Sequence, residues 1–224
     1  MKSQRFITCH SYQQGEILML MKVAQQFGFR VNTFTHVLEG YKIADKLAAA
    51  GATGSTFSDW WAYKYEVIDA VPYNSALMAA KGVNVCVNSD DAEMGRRLNQ
   101  EAAKGVKYGG MSEEEALKMV TLNPAKALRI DEWVGSLDRG KEADVVVWSD
   151  HPLSIYAHAE KTYVDGKLVF DVGLDQAART WIQAERRRLV TKMSKAKDKG
   201  KGKVPGAPAP KNFHCDTLDD DRHE

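Results

Sequence analysis

Long apolar runs are missing from this sequence, and so is an excess of charge of either sign. No stretch of about 18 consecutive apolar residues occurs among the 224, so no membrane-spanning helix is expected. The opening MKSQRFITCH lacks the apolar centre of a secretory signal, so a soluble protein is expected, with its compartment left open. Lys and Arg number 31 against 30 Asp and Glu, and a net charge of +1 gives no whole-chain argument for an anionic partner. Cysteines are scarce. Cys9, Cys86 and Cys215 are too few and too scattered for a disulfide framework or a zinc ribbon. No solenoid repeat is visible. What remains is an ordinary globular mix, 44% hydrophobic and 27% charged, which excludes a wholly disordered or fibrous chain.

Hydropathy patterning gives an α/β order. RFITCH is a short β-prone run ending at His10, followed by a helix with Ile17, Leu20, Met21, Ala24 and Phe27 on one face. VNTFTHV is a second strand ending at His36. A second helix follows, with Ile43, Ala44, Leu47 and Ala48 aligned and Gly51 as its C-cap. ATGSTFS, an aromatic loop, the helix PYNSALMAAKG and the strand VNVCVNSD complete the series and deliver Asp90. Alternating strands and helices predict a parallel sheet covered by helices. Beyond Gly110, Ser112 with Glu115 forms a capping box, and Asn123-Pro124 is expected to cap and open a short helix. Two short antiparallel strands follow, with Asp165-Gly166 as a hairpin turn. A long amphipathic helix then carries Leu174, Ala177, Ala178, Trp181, Ile182 and Leu189 on its apolar side. The Lys-, Gly- and Pro-rich remainder lacks apolar periodicity and is expected to be disordered.

His10, His36 and Asp90 each fall at the carboxyl end of a predicted parallel strand, the edge where α/β folds gather ligands and catalytic groups. Two imidazoles and a carboxylate suit a divalent metal such as zinc. The carboxylate alternatively accepts a proton from an activated water. Each residue taken singly also reads as a hydrogen-bonded structural group.

ITCHSY, TFTHVLEGYKIADKL, VNSDDAEMGRRL, MSEEEALKMVTLNPAKALRI and VGSLDRGKEADVVVWSDHPL together resemble the carboxyl-terminal half of a metal-dependent amidohydrolase of the imidazolonepropionase-like and prolidase-like group. The resemblance spans about residues 4 to 171. It implies a TIM barrel with a small β-sandwich, of which this chain holds the second barrel half. The expected division is residues 1–130 for about strands five to eight, 131–172 for the sandwich portion, 173–195 for a C-terminal helix and 196–224 for a tail. By the resemblance, His10 matches a metal ligand, His36 a metal ligand in dinuclear members and a substrate or hydroxide partner in some mononuclear ones, and Asp90 a ligand that also acts as general base. The implied chemistry is hydrolysis of a C–N bond in an amide, cyclic amide or dipeptide by metal-activated water. Zinc is the metal expected first, with iron, manganese and nickel as alternatives.

The departures from the family matter equally. Its His-x-His pair occurs nowhere in the chain, and half a barrel leaves open sheet edges. A complete barrel of this type takes about 250 residues. The expected partners are therefore a small amide or peptide substrate and a missing N-terminal half, or another chain, that completes the barrel; the isolated chain is expected to be inactive. The alternative is a non-catalytic α/β interaction module that keeps remnants of a site. Trp60, Lys64, Tyr41 and Asp91 are further candidates for substrate contact, each with a structural counter-reading. For Trp60 and Lys64 that counter-reading is packing, for Tyr41 a place in a helix start, and for Asp91 a helix N-cap. The lysines between Lys192 and Lys203 have no interleaved aromatics, and nucleic acid is not an expected partner.

Overall fold

A computed structural model describes residues 5–58 and 64–198. Strands β1 (Thr8–His10), β2 (Thr33–Thr35), β3 (Thr53–Thr56) and β4 (Val85–Val87) form one parallel sheet in chain order. Helices α1 (Gln14–Gln26), α2 (Ala44–Ala50) and α3 (Asn74–Ala80) make the crossovers that parallel pairing requires. Their apolar faces pack against one side of the sheet, where Ile17, Phe34, Leu47, Met78 and Val85 are buried. Side chains alternate across a strand, so Cys9 packs against this helix-side cluster and its neighbour His10 belongs to the other face. Gly51 closes α2 with φ 62°, the left-handed geometry that glycine adopts without a Cβ penalty. Gly40 answers a different need: a Cβ there would overlap Met78 Sδ and Val37 Cγ1.

Phe27 departs from the expected apolar face and is 72% exposed. It is the C-cap residue of α1, just past the helix's last turn, and β1 pairs on one side only among the described strands.

After β4 come α4 (Ala92–Gly95), α5 (Leu98–Gly109), α6 (Glu113–Lys118) and α7 (Leu122–Leu128). Ser112 Oγ accepts the Glu115 amide at 3.2 Å, the bond expected of an N-cap. Asn123 departs from expectation: α7 already begins at Leu122, and the Asn123 amide donates to the Val85 carbonyl at 2.9 Å. The Val87 amide donates to Met119 O at 3.1 Å. The outer edge of β4 is thereby tied to the α6–α7 segment, whereas β1 pairs only with β2 among the described strands.

A second sheet is antiparallel: β5 (Val145–Trp148), β6 (Ala159–Val164) and β7 (Lys167–Asp171), in that order. Asp165 and Gly166, with φ 49° and 73°, form the β6–β7 turn. Helix α8 (Val172–Asp198) follows directly. Its expected apolar side is not buried: Leu174, Trp181 and Ile182 are all exposed. Among the described residues no helix is long and apolar enough to cross a membrane.

Candidate active site at the sheet's carboxyl edge

Parallel pairing sets Cys9 opposite Phe34 and His10 opposite Thr35, so His10 and His36 leave adjacent strands at the same edge. Their ring centroids lie 4.1 Å apart, inclined at 54°. Asp90 arrives three residues past β4, and its Oδ2 stands 3.3 Å from His36 Nδ1. His36 is buried, its neighbour His10 is exposed, and the Asp90 side chain is one-quarter exposed. The sheet edge thus gathers all three strand-end residues.

Backbone geometry singles out two of them. His36 and Asp90 have φ of 65° and 57°, a left-handed conformation uncommon for side chains other than glycine and asparagine. Such a conformation costs on the order of 1–3 kcal/mol and persists only where its surroundings enforce it. Those surroundings are visible. The buried Asn74 amide donates to the Val37 carbonyl at 2.6 Å and to Thr56 Oγ1 at 3.0 Å. Thr56 Oγ1 in turn donates to Val37 O at 2.9 Å, and the Val37 amide donates to Ser55 O at 3.1 Å. The residue after His36 is therefore clamped on both sides.

Aromatic rings build the rest of the wall. Tyr12 meets His10 edge-on at 4.9 Å and lies 5.7 Å from His36, and Phe57 lies 4.8 Å from His36. Tyr12 and Phe57 form a small buried cluster with Leu38 and Val67. Neither ring, nor Asn74, stands out in the sequence by residue type. Their only sequence signal is position, since Tyr12 and Phe57 each lie one or two residues past a strand.

The remaining candidates take different places. Lys64 Nζ sits 4.1 Å from the Tyr12 ring centroid and 3.3 Å from Glu66 Oε2, so it borders the site through Tyr12. Tyr41 hydroxyl donates to Asp69 O at 2.9 Å, and burial is the chief cause of its raised pKa. Asp91 Oδ1 accepts the Glu93 and Met94 amides at 2.8 and 2.9 Å and caps α4. Trp60 lies outside the described residues. Glu39, buried beside the site, accepts the Gln14 amide at 3.0 Å and pairs with Lys42 at 3.4 Å.

Two imidazoles and a carboxylate are donors that a divalent cation accepts, so their chemistry fits a metal. Their arrangement falls short in number. Among the described residues, no three His, Cys, Asp or Glu side chains make a group that could hold a metal ion. Outside this edge, burial pushes the Cys86 thiol up to about 12, as befits a packed and unreactive sulfur. Burial, with a smaller contribution from Glu16, also raises Cys9.

A parallel sheet with helical crossovers and polar residues gathered at its carboxyl edge is an arrangement that TIM barrels share with other α/β folds, and known proteins give the family. Residues 7–169 match the amidohydrolase family profile. The chain belongs to that family. It is similar to the amidohydrolase tasK of Hapsidospora irregularis, 26% identical over 76% of this chain and 18% of the relative. The imidazolonepropionase of Thermoplasma volcanium is 27% identical over 64% of this chain and 37% of its own length. Among solved structures, an amidohydrolase from Thermotoga maritima MSB8 superposes with a TM-score of 0.71 at 30% identity. That match covers 76% of this chain and 44% of that one. The fold is thus a partial TIM barrel, and the chain spans less than half the length of these relatives.

Proposed function

We propose that this chain supplies one half of the active centre of a metal-dependent hydrolase that cleaves a C–N bond in an amide, cyclic amide or dipeptide. The observation that carries the reading is the pair of contacts that His36 makes at one sheet edge, with His10 and with Asp90. His10 and His36 have rings 4.1 Å apart, and Asp90 stands 3.3 Å from His36. In this reading His10 and His36 hold the metal, and Asp90 contacts it and also moves a proton. A bound divalent ion of this kind, zinc first among the candidates, lowers the pKa of water and polarises a carbonyl. Asp90 accepts a proton from the attacking water and passes it to the leaving nitrogen, a role its partial exposure permits. Phe57 and Tyr12 hold His36 in place and keep water from its buried side. Lys64, alongside Tyr12, is the described candidate best placed to meet a substrate carboxylate or carbonyl.

The remaining donors come from the segment that completes the barrel. Strand β1 is its point of entry, because among the described strands β1 has a neighbour on one side only, while the outer edge of β4 is tied to Met119 and Asn123. Until the barrel is completed, the chain alone does not turn over. The test joins this chain to an amino-side half-barrel carrying a His-x-His pair and assays a panel of acyl amino acids, cyclic amides and dipeptides. Asp90→Asn lowers turnover by about 10²–10⁴. Turnover unchanged by Asp90→Asn would remove Asp90 from the reaction.

A second reading, a non-catalytic interaction module, draws on the lack of a three-donor group among the described residues. A completed barrel that binds no metal and hydrolyses none of the panel would favour it.

A further inference from the structure

Helix α8 begins just past the end of the family match, at residue 169, and is no part of the site. It runs for 27 residues, about 40 Å. It packs on β6 and β7, and its large apolar side chains are exposed. Trp181 is 68% exposed, Ile182 54% and Met193 50%. At helical spacing Leu174, Trp181, Ile182, Leu189 and Met193 share an arc of about 120°, which also holds Lys192 and Glu185, the latter paired with Arg188. Trp181, Ile182, Leu189 and Met193 line one shallow apolar groove on the helix.

Charge decides what fits this face. The helix carries seven Lys and Arg against three Asp and Glu. Asp175 and Glu185 are already engaged by Arg179 and Arg188 on the same helix. Arg179 and Arg186 border the apolar arc on one side, Arg188 and Lys195 on the other. The sequence continues with Lys199, Lys201 and Lys203.

We propose that α8 is a docking helix that lies in the plane of an anionic lipid surface. A mostly apolar stripe that includes Trp181 and is flanked by cations matches both layers of such a surface, acyl chains below and phosphate groups beside them. Nucleic acid would use the cations and leave the stripe without a partner. A second copy fits poorly. A coiled-coil seam through Ile182 and Leu189 brings two cationic helices together. The proposal is independent of the hydrolase reading.

The full chain is mixed with sedimentable vesicles of phosphatidylcholine alone and of an equimolar mixture with phosphatidylserine. Binding is expected to the anionic vesicles only and is lost at high salt. Trp181→Ser with Leu189→Ser weakens it about tenfold or more. Arg186→Gln with Lys195→Gln weakens it by roughly 25-fold, about fivefold for each cation near the surface. Circular dichroism confirms that each variant keeps its helix. Equal binding to both vesicle types, or to neither, overturns the proposal. So does duplex DNA binding that the Trp181 and Leu189 changes leave intact, or a solution dimer that those changes dissolve.

Discussion

The two sheets of this molecule are built on opposite terms. In the parallel sheet, every residue of β3 and β4 is buried, and helices cover the face that holds Phe34, Met78 and Val85. In the antiparallel sheet, no residue of β5, β6 or β7 is buried, and Val146, Val147, Leu168 and Val169 are all exposed. Stability therefore resides in the first unit, where burial of apolar area outweighs the entropy of ordering the chain. The second unit, a three-stranded sheet bare on both faces, gains little from its own side chains. The strained conformations of His36 and Asp90 stand on the stable unit, which is where strain can be tolerated.

The contrast can be broken most sharply at Phe34, which has no exposed surface. Phe34→Ala is expected to cost about 3–5 kcal/mol in a denaturant titration, enough to unfold a marginal domain. Cys86 gives the next effect, and its sign follows from linkage. Its thiol is held near 12 in the folded chain against an ordinary value near 9. The contribution is whole below pH 9 and is lost as pH rises toward 12, when the unfolded chain ionises first; the loss reaches about 4 kcal/mol. Cys86→Ala should flatten that alkaline decline, and an unchanged slope would assign it to other groups. Smallest is Val169→Ala on the bare sheet. Val169 is 60% exposed, and less than about 0.5 kcal/mol is expected. A loss comparable with Phe34→Ala would mean that the antiparallel sheet is covered in solution.

Much of the parallel unit was legible in the sequence because its helices and strands carry distinct periods. Ile17 and Ala24 recur two turns apart, and Gly51 marks the helix end that its φ of 62° requires. Strand ends then followed, and with them the positions of His10, His36 and Asp90. What sequence could not supply was contact across the edge. Tyr12 and Phe57 enclose His36 from different βα units, and Asn74 reaches Val37 from 37 residues away. The single expectations that failed have two causes. Phe27 and the apolar side of α8 keep perfect helical spacing, but periodicity states which face is apolar and not whether anything lies against it. Asn123 read as a cap because its residue type favours one, and a tertiary bond to Val85 took the side chain instead.

The most direct test of the account is the zinc content of the completed barrel, measured by plasma mass spectrometry after exhaustive dialysis, with and without His36→Ala. The buried histidine at the centre of the cluster is predicted to be indispensable, so the variant should retain little or no metal while keeping its fold by circular dichroism. Equal zinc in the two proteins would contradict the assignment of this edge as the metal centre.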